Sequence, residues 1–143
     1  MSILNIKLFF TLAFCFLLFE GFSQDLHSNE SFKSLDVHER IEFFDNLNDS
    51  IKILNRSFLK KSFEINLNED IDILTSRQIK SIIAQLNYHS GNYIESINVL
   101  RKILENKENK LTTKDSMSIY DDLKKSYYKL YLYPEIFEVN SKI

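Results

Sequence analysis

Two glycines and one proline punctuate 143 residues. That scarcity excludes most β architectures, which need tight turns every few residues. It also excludes a flexible Gly- and Pro-rich linker. Hydrophobic residues make up 44% of the chain and charged residues 27%, a globular balance rather than a disordered one. The length suits one ordinary domain. With 18 Lys+Arg against 20 Asp+Glu, there is no basic excess with which to hold a nucleic-acid backbone, and no nucleic-acid partner is expected. A single cysteine excludes an internal disulfide and a cysteine-based zinc site. The expectation is a small all-α domain.

Residues 1–23 have the layout of a secretory signal peptide. Lys7 supplies the positive start. Residues 8–19 form an uncharged, almost wholly apolar run. Gly21 and Ser23 are the small residues before a cut between Ser23 and Gln24. As a helix, that run would reach about 18 Å, short of the roughly 30 Å of a bilayer's hydrocarbon core. The chain is therefore expected to be exported, to a periplasmic or extracellular location. Residues 24–34 are polar and are expected to form a mobile leader ahead of a helical domain over 35–143.

In that domain apolar residues recur at helical spacing. Val37, Ile41 and Phe44 mark one helix face, and Ile51, Leu54 and Phe58 a second. Ile79, Ile82, Ile83 and Leu86 mark a third, and Ile97, Leu100 and Leu104 a fourth. Leu123, Tyr127 and Leu130 mark a fifth, and a sixth begins at Ile136. Helix-start signals fall between these segments. They are Asn48-Asp49-Ser50, Asn92 with Glu95, Thr112 with Asp115, and Pro134 in a first turn. Gly91 stands where a helix end needs a left-handed residue. The pattern gives antiparallel hairpins over about 35–64, 72–106 and 112–143.

The hairpins repeat in sequence. Asp49-Ser50-Ile51-Lys52-Ile53-Leu54 parallels Glu95-Ser96-Ile97-Asn98-Val99-Leu100, and Glu135-Ile136-Phe137-Glu138-Val139 follows the same pattern. At these residues the chain resembles the tetratricopeptide repeat family. Gly91 and Tyr93 match the family's Gly-x-Tyr turn, Ala84 and Ser96 its small positions, and Leu100 its large apolar position. In the third unit Leu123, Tyr127 and Tyr133 match, while Tyr131 replaces the turn glycine. In the first unit only Val37, Ser50, Ile51 and Leu54 match. The resemblance implies a short right-handed solenoid of stacked hairpins, with an interaction surface in place of an active site.

No catalytic constellation accompanies it. His38 and Glu42 lie four residues apart with no third ligand, and no metal or cofactor is expected. Two glycines are too few for a phosphate-binding loop. The resemblance places a protein or peptide partner on the concave face, which the first helix of each hairpin lines. Glu39, Glu42 and Phe43 would stand there in the first unit. Ser81, Gln85, Tyr88 and His89 would stand there in the second, and Asp121, Lys125, Tyr128 and Lys129 in the third. Such arrays usually close with a polar-faced helix. The sequence shows none after the third hairpin, so self-association through the last repeat is one expectation. The other is a longer chain. A signal peptide followed by such repeats resembles the extracytoplasmic front of bacterial sensor histidine kinases and related regulators, whose membrane span comes later.

Overall fold

The computed structural model describes residues 30–142. The apolar segment 1–23, its expected cut before Gln24, and residues 24–29 lie outside the described residues. Among those described, every regular element is a helix. Helix α1 spans Glu30–Ser34, α2 Val37–Asn46, α3 Asp49–Leu54 and α4 Arg56–Asn66. Helix α5 spans Ile73–His89 and α6 Tyr93–Glu105. A 3₁₀ turn, Lys107–Asn109, leads to α7, Thr113–Lys129, and α8, Tyr133–Asn140. None of these helices is long and apolar enough to cross a membrane.

Short polar side chains start the helices by satisfying the first free amides. Asp36 and Glu39 form a reciprocal capping box on α2, each carboxylate 2.9 Å from the other's backbone nitrogen. Thr112 and Asp115 do the same on α7. Asn48 accepts from the Ile51 amide, and Asp72 from those of Leu74 and Thr75. The expected box of Asn92 with Glu95 does not form, because Asn92 makes no side-chain cap bond. Its ψ is 60°, whereas the capping residues Asp36, Asp72 and Thr112 are extended. The cause is the short turn: Asn92 also ends α5, its amide donating to the Asn87 carbonyl at 2.9 Å.

Helices α5 and α7 end in the same way. The Gly91 amide donates to the Tyr88 carbonyl and the Asn92 amide to that of Asn87. Forty residues on, Tyr131 donates to Tyr128 and Leu132 to Tyr127. Both are Schellman turns, which place the residue after the cap in the left-handed region. Gly91 takes φ 76° and Tyr131 φ 57°.

Two apolar clusters meet at α5. The first joins Phe32, Ile41, Phe44, Leu59 and Phe63 to Ile79, Ile82, Ile83 and Leu86 of α5. The second joins Ala84 of α5 to Ile97, Leu100, Ile103, Ile119, Leu123, Tyr127 and Val139. Helix α5 packs on α4 and α6, α6 on α7, and α7 on α8, while α5 also touches α7.

The N-terminal part departs from the expected pattern in three places. The leader assigned to 24–34 ends in a helix whose Phe32 is 1% exposed, ringed by Phe43 and Phe58. Phe43, expected on a concave face, is half-buried and packs against this core. The second helix of the first hairpin is split at Asn55, which is buried and donates from Nδ2 to the Ile51 carbonyl at 3.1 Å. The restart changes which residues face inward. Leu54 is 67% exposed, and Leu59 and Phe63 of α4 fill the core in its place.

Candidate functional site

The face of α5 not spent on the first cluster turns toward α7. Between them lies a groove of about 440 Å³. Its base is made of small side chains, Ala84 of α5, Ser96 of α6 and Ser126 of α7, with exposed Ser118 of α7 at its edge. Ala84, Ser96 and Ser126 are buried. The Ser126 hydroxyl lies 3.3 Å from that of Ser96 and 3.0 Å from the Asp122 carbonyl, so these buried polar groups are satisfied. Small residues at such positions let backbones approach closely and leave room above them.

Larger polar groups form the rim. Gln85, Tyr88 and His89 stand on α5 at i, i+3 and i+4, one helix face. Asp122 and Lys125 face them from α7, and Asp49 closes one end from the first turn of α3. The Tyr88 ring is held edge-on between His89, 5.5 Å away, and Tyr93, 5.4 Å away. Lys125 Nζ is 2.7 Å from Asp122 Oδ1. That hydrogen bond raises the Lys125 pKa above the ordinary lysine value, with the Asp122 charge adding to it and partial desolvation opposing. The lysine is a firm cation with its donors near the groove.

Of the six residues expected to contact a partner, the structure gathers four: Gln85, Tyr88, His89 and Lys125. Tyr128 and Lys129 fall outside the lining, in the last turn of α7. Tyr128 is exposed and meets Tyr133 edge-on at 6.4 Å. Of the other expected concave residues, Glu39 is engaged in its capping box and Asp121 pairs with Lys124 at 2.8 Å.

The residues singled out for the repeat pattern occupy distinct environments. Ala84, Ser96, Leu100, Leu123 and Tyr127 are buried. Gly91, Tyr93 and Tyr133 lie at the two Schellman turns. The Tyr127 hydroxyl accepts from Arg101 Nε at 2.9 Å, fastening α6 to α7 behind the groove. Arg77 fastens the other end, donating to the Asn109 carbonyl at 3.0 Å and lying 3.3 Å from Asp115.

The sequence reading missed Asp49, Ser118, Asp122 and Ser126. A signal for three of them was present, since positions 118, 122, 125 and 126 share one helix face. Asp49 gave none, because only tertiary packing brings α3 to this groove. Among the described residues no group of acidic, histidine or cysteine side chains is arranged to hold a metal. No protein-family model, curated protein or solved structure matches the chain.

Proposed function

We propose that this protein is an exported, non-enzymatic interaction module of tetratricopeptide-like hairpins. In this reading it captures an extended peptide or a partner helix in the groove between α5 and α7. The observation that carries the proposal is the gathering of Gln85, Tyr88, His89 and Lys125 around one 440 Å³ concavity. A space of that size takes two or three side chains of a guest. Tyr88 offers contact area at small entropic cost, already fixed by its two ring neighbours. Gln85, Ser118 and Lys125 offer hydrogen bonds to guest backbone or polar side chains. The repeated Schellman turn and the small residues at the groove base support stacked hairpins as the scaffold.

The test is selection of binders from a random peptide library on the purified protein. Changing Tyr88→Ala and Lys125→Ala together is expected to weaken a selected peptide at least tenfold, about 1.4 kcal/mol. Helicity and thermal midpoint should hold. Unchanged binding would place the contact surface elsewhere.

A second reading rests on α8. Phe137 is 75% and Tyr131 74% exposed, beside exposed Tyr128 and Tyr133. Such an aromatic edge suits cover by another element, as in the sensory input region of a tetratricopeptide-containing histidine kinase or regulator. It also suits a second copy of the chain. Light scattering over a dilution series separates these readings: a concentration-dependent mass favours self-association, and a constant monomer mass removes it.

A further inference from the structure

Helices α4 and α6 both pack on α5. A second groove, of about 280 Å³, lies between them. One wall is aliphatic, Ile83 from α5, Val99 and Ile103 from α6, and Leu67 just past α4, while Asn106 and Asn109 line it past the end of α6. It sits at the seam of the two cores, since Ile83 belongs to the first and Ile103 to the second. Its character is opposite to that of the polar groove between α5 and α7.

Two cations edge this apolar surface, Lys80 on α5 and Lys102 on α6. Among the described residues neither lies within ion-pair distance of a carboxylate. The acid at the same groove, Glu64, is already 3.7 Å from Lys60. The groove therefore carries a net positive charge, two lysines without a close ion pair against Glu64, beside its aliphatic wall. Lys124, Lys125 and Lys142, by contrast, each pair with an acid three or four residues away.

A mostly apolar concavity with a few polar groups is the general form of a small-molecule site, and about 300 Å³ is the lower end of the usual range. The size restricts a guest to a short chain. The lining rewards hydrocarbon, and the lysines reward an anion and repel a cation. We infer that this groove binds a medium-chain aliphatic carboxylate. Its hydrocarbon lies on half-buried Leu67 and Val99, over buried Ile83 and Ile103, and its head group at Lys80 and Lys102.

The test is an amide-shift titration of the full chain with decanoate, kept below its micelle concentration. Decyltrimethylammonium and acetate serve as charge and chain controls. Decanoate is expected to move the Ile83, Val99 and Ile103 amides saturably. The cationic amphiphile should bind at least fivefold more weakly, and acetate should leave these amides in place. Lys80→Met with Lys102→Met should weaken decanoate at least fivefold at unchanged helicity. If that pair disturbs folding, each single change is read instead, with a smaller loss expected from each. The inference is overturned by absent or unsaturable shifts, by equal binding of the cation, or by lysine variants that bind as the parent does. A short Leu/Glu peptide displacing decanoate at lower concentration would also overturn it, in favour of an acidic protein segment.

Discussion

The two cores of this protein solve the same packing problem with different side chains. The N-terminal core sets a cluster of rings among its Ile and Leu side chains. Phe44 meets Phe63 edge-on at 5.7 Å, and Phe32 meets Phe43 and Phe58 at 5.4 and 5.5 Å. The second core sets Leu and Ile against small residues, Ala84 within the cluster and buried Ser96 and Ser126 beside it. Large rings close the space between helices, whereas small residues leave a concavity over the helices they join. The polar groove accordingly opens beside the second core.

Breaking each core sharpens the contrast. Phe63→Ala should cost about 3–5 kcal/mol, because a fully buried ring is removed and rigid neighbours cannot close the gap. Native-state hydrogen exchange should then show protection falling first in α2 and α4. Leu100→Ala should cost about 2–5 kcal/mol, with the loss centred on α6 to α8. Denaturant midpoints give both values. Equal loss of protection throughout the chain would mean that the cores act as one unit.

The same contrast decides what could be read from the sequence. The motif at residues 49–54 parallels that at 95–100, yet Leu54 is 67% exposed and Leu100 1%. Periodicity reports a helix face but not where a helix restarts, and Asn55 interrupts the first copy. Phe32 stood within a polar stretch, so its burial gave no periodic signal. The second and third units were more legible because their turns carry local chemistry, Gly91 in one and Pro134 in the other. The four groove residues from α5 and α7 were expected from the repeat resemblance, which matches them to the concave positions of each first helix. Asp49 was not, since its approach depends on how the split helix packs.

A change at the groove base tests the role given to small residues. Ser126→Leu should overpack the α6–α7 contact at a cost of about 1–3 kcal/mol. It should also weaken any peptide held between α5 and α7, as read by thermal midpoint and by binding. Smaller effects are expected at the matched turns. No atom stands within 4 Å of a Cβ built on Gly91, so Gly91→Ala is a pure backbone test. It should destabilise by about 1 kcal/mol, the cost of an L-residue in the left-handed region. Tyr131→Gly should do the opposite, stabilising by up to about 1 kcal/mol. Opposite signs at the two turns would confirm that one turn geometry serves both hairpins.

The smallest expected effect is on acid stability. Hydrogen bonds from Thr75 lower the Asp72 pKa, and hydrogen bonds from Thr112 lower that of Asp115. Their stabilisation is fully present above the ordinary carboxylate value of 3.8 and is lost as pH falls through the lower folded values. Thermal midpoints between pH 2 and 5 should therefore fall less steeply for Asp72→Asn and Asp115→Asn than for the parent. Identical slopes would remove these caps from the pH response.

The most direct test of the central proposal is to map a selected peptide on the protein by amide shifts. Capture in the polar groove is expected to move Gln85, Tyr88, Asp122 and Lys125 together and to leave Val99 and Lys102 in place. Shifts confined to α8 or to the α4–α6 groove, with α5 and α7 unmoved at Tyr88 and Lys125, would contradict it.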